Sequence, residues 1–572
     1  MKHKKFPSTR TPQFAAMQRV MHAARLARRP EFPPFDELVD LASTRSETPP
    51  SSGWTRRRFL KTSGTALALA GSGLLASCAR MKGAPRIAVV GAGLAGLNAA
   101  YTLKKAGYRA EVYEAAKRVG GRIYSVKDVI APGLVTELGA SFFDPGHEDF
   151  ISLVEEFGLT PLDLLSPSET ELQTAFYFDG KRYTDAQVAE AFREMAERVE
   201  DDVETHREAG RLSGEGETEK ANAMRAPLDA LTAAEYLDRV GLARAWPRSA
   251  FEAILVAEFG LDFEQMSALN FLSGLAYSTY DGDAFALWGE DYARYTLLEG
   301  CQAVVQALAD RVEGQINFGH RLEAVTSKGD GFVLTFEGPS ASAVDVKADL
   351  VIVTIPFSVL RGIDLRVEMP PLKRKVIDEM GYGMNPKIQI GFHKRVWREK
   401  GYGGDGYSDE PFCGMWDDSQ MRPGDAGCIT IYPGGQRALD LGEGTVPEQV
   451  ERLMPGIENT IPGISAEYNG RAERFHWPTY PFSLGSYTCY LPGQRTTIAG
   501  WQVTPVGNMF FAGEHCNRGY KGLLESAARS GRRVAEDLAA RLGSPAGAAK
   551  SAPPAEAEES APPAEAEEDA SG

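Results

Sequence analysis

A glycine-rich turn directly after a short apolar segment constrains the fold of this chain more than any other feature. A strand is predicted at Arg86–Val90, and it runs straight into Gly91-Ala92-Gly93-Leu94-Ala95-Gly96. The next stretch, Leu97–Ala106, has helical composition, and Gly107 is a suitable stop. A second strand is predicted at Ala110–Tyr113. The order strand, glycine turn, helix, strand predicts an α/β fold with a parallel sheet.

The three glycines and an acidic residue predict a dinucleotide site. Gly91 permits the tight turn, Gly93 lets the backbone approach a pyrophosphate, and Gly96 lets the helix pack closely on the strand. The phosphates would meet the N–H groups at the start of the helix. Glu114 lies 18 residues after Gly96, where a carboxylate accepts hydrogen bonds from both ribose hydroxyls. That carboxylate would repel a 2′-phosphate, which disfavours NADP.

The residues after the second strand resemble a more specific fingerprint. Glu114-Ala115-Ala116-Lys117-Arg118-Val119-Gly120-Gly121-Arg122 is similar to the extended FAD motif of the flavin amine oxidase family. In that motif an Arg follows the Glu after four residues, and Gly-Gly-Arg comes next. The resemblance implies a Rossmann-like FAD-binding domain of the amine oxidase type, joined to an α+β substrate-binding domain. It also implies that FAD replaces NAD as the cofactor.

Further segments match the family in the same order from about residue 86 to residue 540. Glu137-Leu138-Gly139-Ala140-Ser141 resembles the family segment beside the flavin, and His320–Val325 the strand whose valine main chain touches adenine. Phe510–Glu514 and Gly522–Ala527 resemble the closing FAD motif. One departure is Glu299, which stands where relatives have the first of two adjacent glycines. Beyond the glycine turn, the implied cofactor contacts are Glu114, Ala115, Arg118, Gly121, Arg122, Gly139, Ala140, Ser141, Val325, Glu514 and Leu523.

Three residues are implied to act on the substrate. Lys387, between alternating apolar residues, matches the lysine that holds a water at flavin N5; a strand-end lysine that reaches solvent is the alternative interpretation. Trp477 and Tyr487 match aromatic residues along the amine path. Ser486 stands where monoamine oxidases carry the cysteine bonded to the flavin, so the resemblance implies noncovalent FAD.

One position sets this chain apart from the monoamine oxidases. Leu523 falls where those enzymes place the second tyrosine of their aromatic cage, and Tyr520 is the residue nearby that would fill the gap. The departure weakens any transfer of monoamine specificity to this chain.

The implied activity is FAD-dependent oxidation of an amine. A hydride passes from the carbon to flavin N5, the imine is hydrolysed, and O2 is reduced to H2O2. One alternative is an L-amino-acid oxidase or a tryptophan 2-monooxygenase. It is disfavoured because Ser141-Phe142-Phe143 stands where amino-acid oxidases place a carboxylate-binding arginine. A flavin desaturase or dehydrogenase and a noncatalytic FAD-binding envelope protein are the remaining alternatives.

Charge excludes nucleic acid as a main partner. The 572 residues carry a net charge of −16, but residues 1–77 carry thirteen Lys and Arg against five Asp and Glu. The remaining 495 residues therefore carry −24, which opposes binding to phosphate backbones. The histidines and cysteines show no metal-ligand spacing, so no metal site is expected. The sequence indicates neither the particular amine nor an oligomeric state.

Both ends of the chain are predicted to lie outside the fold. Residues 55–78, TRRRFLKTSGTALALAGSGLLASC, resemble a twin-arginine signal, and Leu75–Cys78 resembles a lipobox in which Cys78 is lipidated. This implies the twin-arginine export machinery as a partner, an envelope or periplasmic location and a lipid anchor; cleavage elsewhere, with Cys78 incidental, is the alternative. SAPPAEAEE occurs at 551–559 and again at 560–568, which is typical of a disordered acidic tail.

The predicted domain organisation alternates between cofactor and substrate segments. It comprises an N-terminal extension at 1–54, the signal at 55–78, FAD-binding segments at 85–150, 291–360 and 481–543, a mainly helical substrate segment at 151–290, a second substrate segment at 361–480 and the tail at 544–572.

Overall fold

The computed structural model describes residues 85–170, 172–214, 216–276, 293–517 and 522–543. The predicted N-terminal extension, the signal with Cys78, the acidic tail and Tyr520 lie outside these residues. Within the described ranges, none of the helices combines the length and the apolar character needed to cross a membrane. No cluster of three or more His, Cys, Asp or Glu in these ranges is arranged to hold a metal ion.

A five-stranded sheet, parallel at every pairing, forms the centre of one half of the molecule. In spatial order its strands are β20 (Met509–Phe511), β13 (Leu350–Val353), β1 (Ile87–Val90), β2 (Ala110–Glu114) and β9 (Ile316–Phe318). All four residues of the central β1 are buried, as expected for a parallel sheet covered on both faces. The predicted α/β class is confirmed, and the sheet gathers strands from four distant stretches of the chain.

Helices cover one face of this sheet. They are α1 (Leu94–Lys105), α2 (Glu148–Glu156), α9 (Gln302–Arg311) and α16 (Leu524–Leu542). The helix α1 begins at the glycine turn, and a Cβ on Gly96 would come within 2.0 Å of the Gly91 carbonyl oxygen. In the same way, a Cβ on Gly531 of α16 would come within 2.2 Å of the Ala95 carbonyl oxygen. Both contacts require glycine, because no side-chain atom fits at these distances.

A four-stranded sheet packs on the other face of the parallel sheet. Its spatial order is β12 (Ala343–Ala348), β11 (Gly331–Glu337), β10 (Arg321–Lys328) and β14 (Asp364–Arg366). The strand β14 pairs with β10, so residues predicted for the second substrate segment join the sheet beside the cofactor half. Nearby are the helices α10 (Phe357–Leu360), α11 (Pro371–Glu379) and α15 (Gln494–Thr497).

The other half of the molecule is a seven-stranded mixed sheet with helices packed on it. The spatial order of the strands is β19 (Tyr468–Phe475), β15 (Lys387–Phe392), β18 (Gly427–Tyr432), β17 (Gly414–Asp417), β16 (Tyr402–Ser408), β6 (Gln173–Phe178) and β7 (Lys181–Tyr183). The accompanying helices are α4 (Asp185–Gly214), α5 (Thr218–Asp229), α6 (Ala233–Arg239), α7 (Trp246–Phe259), α8 (Leu269–Ala276), α12 (Val396–Glu399), α13 (Gly435–Asp440) and α14 (Val446–Thr460). Helices and mixed sheet agree with the predicted α+β character of this half.

Short elements connect the two halves. They are β3 (Ser125–Lys127) paired with β4 (Val135–Glu137), β5 (Pro161–Asp163) paired with β8 (Tyr295–Leu297), and α3 (Pro167–Thr170). The strand β4 ends at Glu137, and the residues after it run towards Lys387 of the seven-stranded sheet. The two halves therefore meet at the segment that follows β4.

Candidate active site

A long cavity extends from the carboxyl edge of the parallel sheet to the seven-stranded sheet. At the first end it is lined by residues at or just after the ends of parallel strands, among them Gly91, Glu114 and Gly513. At the other end it is lined by Lys387 and Tyr432. Ligands of open parallel sheets bind at this edge of the strands. Seventeen of the twenty predicted site residues line the cavity, and Ala92, Gly96 and Val325 do not.

Glu114 organises the nucleotide end of the cavity. Its Oε2 accepts a hydrogen bond from the Ala92 N–H at 2.7 Å, and its Oε1 accepts one from the Ala116 N–H at 2.8 Å. Burial raises the pKa of this carboxyl, and the two N–H donors act against that rise. Ala92 therefore takes part through its backbone only, and Gly96 through the close packing of α1.

The structure corrects the prediction that Val325 contacts the cofactor. Its side chain is fully buried in the hydrophobic core between the two cofactor-side sheets. Its backbone pairs with Leu334 on one side and with Leu365 on the other, so its main chain faces neighbouring strands. Leu322, three residues earlier on β10, lines the cavity instead. The pairing register shifts between Leu322 and Ala324, and an alignment of sequence alone cannot locate that irregularity.

Two arginines of the FAD-like fingerprint have different tasks. The Arg118 guanidinium donates to the backbone carbonyls of Val119, Gly121 and Ile123 and so holds the turn in shape. Arg122 forms an ion pair with Glu514, with 2.8 Å between Nη1 and Oε1. Glu514 also accepts a hydrogen bond from the Gly522 N–H at 2.9 Å, directly before α16. The ion pair thus joins residues that are 392 positions apart across the cavity.

These residues fit FAD. The first turn of α1 has no side-chain cap at Gly93, so its N–H groups remain available for a phosphate. Gly93 and Gly121 both line the cavity, and because they have no side chains a ligand can approach the backbone of that wall closely. Glu114 presents a carboxylate to the cavity, where it would accept from the ribose hydroxyls, and Leu523 lies at the N-terminal end of α16. Ser486 donates its hydroxyl to Asn385, and a serine forms no thioether, so noncovalent binding is the expectation here.

Lys387 lies at the other end of the cavity, deeply buried. Its Nζ donates to the Glu137 carbonyl at 3.0 Å, to the Gly139 carbonyl at 2.6 Å and to the Ser141 hydroxyl at 2.6 Å. These three acceptors use all three N–H bonds of the ammonium group. Burial lowers the pKa of Lys387, and the nearby carboxylates of Asp418 and Glu137 oppose that change. The predicted alternative, a lysine that reaches solvent, is wrong.

An aromatic group forms the wall beside Lys387. It consists of Phe142, Trp416, Tyr432 and Tyr487, which we call the aromatic wall, and all four line the cavity. The ring centroid of Trp416 lies 5.7 Å from that of Phe142 and 5.0 Å from that of Tyr432. The Tyr432 hydroxyl donates to the Tyr487 hydroxyl at 3.0 Å. The Lys387 Nζ is 5.0 Å from the Trp416 ring centroid. An apolar group bound here would contact aromatic faces and edges.

Trp477 belongs to a different aromatic group. Its ring packs against Phe475 at 4.2 Å and near Tyr480 at 5.9 Å between centroids. Its Nε1 donates to the Leu138 carbonyl at 2.9 Å, which fixes the segment after β4. Of the two aromatic residues predicted to contact the amine, Tyr487 lies in the aromatic wall, whereas Trp477 supports the cavity from the side of Tyr480.

Trp416, Tyr432, Glu137 and Asp418 were missed as site residues by sequence reasoning. Trp416 and Tyr432 lie on adjacent strands β17 and β18, within the buried runs GMWD and GCITIY. Buried aromatic residues in strands are common, and nothing in those runs marks a cavity wall. Only the pairing of β15 with β18 places Tyr432 beside Lys387.

Comparisons with known proteins agree with the geometry. The family profile described as "Flavin containing amine oxidoreductase" matches residues 94–539. An L-amino-acid oxidase of Demansia vestigiata is 24% identical over 468 residues, covering 79% of this chain and 86% of the relative. Polyamine oxidase 5 of Oryza sativa subsp. japonica is 24% identical over 479 residues, covering 81% of this chain and 89% of the relative.

A solved structure shares the fold. A putrescine oxidase bound to putrescine superposes with a TM-score of 0.67 at 22% identity, covering 80% of this chain and 99% of that chain. The profile match spans more than three quarters of the sequence; it begins at Leu94 within the glycine turn and includes Arg122, Lys387 and most of α16. The chain therefore belongs to the family of flavin-containing amine oxidoreductases, enzymes that oxidise amines with FAD.

Proposed function

We propose that the chain oxidises an amine that carries a bulky apolar group, with O2 as the electron acceptor. The aromatic wall carries this proposal, because it surrounds the space beside Lys387 with four aromatic side chains. Bound FAD supplies the hydride acceptor and passes the electrons to O2. The chain itself orients the amine, excludes water and holds the segment from Glu137 to Ser141 in place.

The arginines that line the cavity argue against an amino acid or another carboxylate as the substrate. Three arginines line it among the described residues, and each has a partner: Arg118 binds backbone carbonyls, Arg122 binds Glu514 and Arg321 binds Glu337. The segment Ser141-Phe142-Phe143, where the resemblance to amino-acid oxidases would require an arginine, contains none, and its Phe142 lines the cavity. Among the described residues, the cation nearest Trp416 is Lys387, whose three N–H groups already have acceptors, so a carboxylate there would lose hydration without gaining a hydrogen bond from a cation.

A substrate panel tests the proposal. Purified protein with bound FAD is mixed without oxygen with apolar monoamines, a diamine and L-amino acids, and flavin bleaching is followed before air is admitted. We expect the fastest bleaching with an apolar monoamine, followed by H2O2 after air. Fastest bleaching by an amino acid would favour the L-amino-acid oxidase, and bleaching without peroxide would favour a dehydrogenase. Bleaching by none of the compounds would contradict amine oxidation.

Shortening Phe142 tests the wall directly. Phe142→Ala removes an aromatic ring whose apolar contact with the substrate would contribute about 1.5–3 kcal/mol of binding free energy. The kcat/KM for an apolar monoamine should therefore fall about tenfold to a hundredfold. Phe142→Leu keeps an apolar side chain and is the matched control, with a smaller loss. An equal kcat/KM in Phe142→Ala and the native protein would exclude the wall from substrate binding.

We further propose that the protein is exported by the twin-arginine machinery and anchored in the envelope through lipid on Cys78. The motif Arg56-Arg57-Arg58-Phe59-Leu60-Lys61 before a charge-free segment supports export. Replacing Arg56 and Arg57 by lysine should leave the enzyme in the cytoplasm of an expressing bacterium. Cys78→Ala should abolish labelling by a fatty acid and release the protein from the membrane fraction. Unchanged fractionation in both variants would contradict the proposal.

A further inference from the structure

Lys387 lines the cavity, and its hydrogen bonds also couple its ammonium group to other residues of the cavity wall. All three of its N–H donors end on the segment after β4, at Glu137, Gly139 and Ser141. Gly139 and Ser141 both line the cavity, and of the three acceptor atoms the Ser141 hydroxyl, 2.6 Å from Nζ, is the one that carries a proton of its own. The ammonium group is therefore coupled to the cavity through Ser141.

The Ser141 hydroxyl has a proton to give. Its nearest acceptor within the described residues is the Gly139 carbonyl at 3.4 Å, longer than the ordinary range for an O–H donor. That carbonyl already accepts from Lys387 at 2.6 Å. A group bound in the cavity would therefore compete successfully for the Ser141 proton, while Ser141 continues to accept from Lys387.

Two buried carboxyl groups lie behind Lys387. Asp418 Oδ2 accepts from the Glu137 N–H at 2.7 Å and from the Gln389 amide at 2.6 Å. The Glu137 carboxyl accepts from the Cys301 N–H and the Ser125 hydroxyl, both at 2.7 Å. Burial raises the pKa of Glu137 to about 7, with a further contribution from Asp418. The charged and titratable groups that face Lys387 or this acid pair are Glu137, Asp418, Arg422, Cys301 and Cys428.

The proton balance of amine oxidation indicates a task for Ser141, Lys387 and the two carboxyl groups. Oxidation of the amine removes a hydride from carbon and a proton from nitrogen. Reduction of O2 to H2O2 needs two electrons and two protons, of which the hydride brings both electrons and one proton. The amine releases its proton before O2 reacts, so a group beside the cavity that holds this proton can supply it to the later step.

We propose that Ser141 is the terminal residue of a buried proton relay, in which Lys387 is neutral before the amine is oxidised and becomes charged by taking up the second proton, and in which Glu137 and Asp418 stabilise that charged form. The proton lost from the amine nitrogen enters through Ser141, and the same route returns it to O2. Ser141 acts in contact with the cavity, whereas Glu137 and Asp418 are positioning residues. The inference rests on the proposed oxidation of an amine.

The relay is tested without an amine, so that its failure is distinct from failure of the proposed substrate. FAD in the purified holoenzyme is reduced chemically, mixed rapidly with O2 at a series of pH values, and its reoxidation is followed by absorbance. Ser141→Ala should slow reoxidation by about tenfold or more and change its pH profile. Ser267→Ala is the matched control, because Ser267 is a buried serine that donates to Asp229 outside the cavity.

Glu137→Gln supplies a second test with a defined sign. Loss of the carboxylate removes a negative charge near the ammonium group, so the pKa of Lys387 falls and the midpoint of the pH profile moves to lower pH. The amide still accepts from the Cys301 N–H. An unchanged rate and profile in flavin-loaded Ser141→Ala would overturn the relay. If Ser141→Ala fails to hold FAD, an unchanged midpoint in Glu137→Gln overturns it instead.

Discussion

Glu114 serves the site twice, as an acceptor for the glycine turn and as a carboxylate on the cavity wall. Sequence reasoning predicted its carboxylate from the spacing after Gly96, and the predicted contact with a ribose stays a prediction. The structure adds that Glu114 also fixes the backbone at Ala92 and Ala116. One side chain therefore couples the shape of the turn to the ligand that the turn would hold.

Removing the Glu114 side chain should weaken FAD binding. Glu114→Ala deletes two charge-assisted hydrogen bonds of about 1.5–3 kcal/mol each, so the Kd of the apoprotein for FAD should rise at least about tenfold. Quenching of FAD fluorescence during titration measures the change. Glu114→Gln keeps an acceptor oxygen and should lose less. A Kd within twofold of the native value in Glu114→Ala would show that the carboxylate does not support the site.

Lys387 and Lys373 are two fully or nearly fully buried lysines with different surroundings. Lys387 lies near two carboxyl groups and lines the cavity, whereas Lys373 donates to the carbonyls of Trp501 and Gln502 away from it. Burial lowers the pKa of Lys373 to about 7. The pair allows the effect of a buried charge at the cavity to be separated from the effect of a buried charge elsewhere.

Lys387→Met should slow reoxidation of reduced FAD by O2 about a hundredfold, because it removes the positive charge next to the reacting site. Stopped-flow absorbance after chemical reduction measures this rate. Lys373→Met is the matched control and should lower the Tm without slowing reoxidation. Equal reoxidation rates in Lys387→Met and the native enzyme would remove Lys387 from the oxygen reaction.

At the scale of elements, the close packing of α1 and α16 fixes the nucleotide end of the cavity. Gly531 permits that packing, since a Cβ there would meet the Ala95 carbonyl at 2.2 Å. Ala95 also lines the cavity. Any movement of α16 away from α1 would therefore displace Leu523 relative to the glycine turn.

Gly531→Ala should lower the Tm even though alanine is a better helix former by about 1 kcal/mol. Overpacking of a tight contact costs about 1–3 kcal/mol, which outweighs that gain. Thermal unfolding of the holoenzyme measures the balance. Gly403→Ala is the control, because its Cβ would meet atoms at 3.4 Å and beyond. A higher Tm in Gly531→Ala would mean that the helices separate without penalty.

The elements also show why part of the site could be predicted and part could not. The turn from Gly91 to Gly96 is a local structure, so its residue types determine its shape and its ligand class. The aromatic wall depends on which residues of β17 and β18 lie opposite each other, and the Val325 prediction failed at a register shift in β10. Sheet register is set by turn geometry and by which face of each strand is buried, and a local motif does not specify either. The predicted domain boundaries and the signal stay predictions.

At the scale of the whole molecule, buried histidines make stability depend on pH. His515 is fully buried against Phe357, with 4.5 Å between ring centroids, and neither ring nitrogen has a hydrogen-bond partner among the described residues. Burial lowers the pKa of His515 to about 3. Below pH 6.5 this imidazole is protonated in the unfolded chain but stays neutral in the folded chain. The free energy of unfolding therefore decreases as the pH falls from 6.5 towards 3.

His515→Phe should therefore be less sensitive to acid than the native protein. The Tm of the variant should fall less between pH 7 and pH 4, because the phenyl ring removes the proton uptake of the unfolded state. Scanning calorimetry across that range gives the comparison. The exposed His393→Phe is the control and should follow the native pH dependence. Parallel curves for His515→Phe and the native protein would contradict this origin of acid sensitivity.

The order of strands in the parallel sheet has a consequence for biosynthesis. The first strand, β1, is paired with β13, which in turn is paired with β20 near the end of the described chain. Glu514 and α16, which complete the cavity, come later still. After the glycine turn leaves the ribosome, more than 400 further residues are therefore translated before the opposite wall of the cavity is complete. FAD can be captured only after Glu514 and α16 have been translated, and a product truncated before β20 retains the fingerprint without the site.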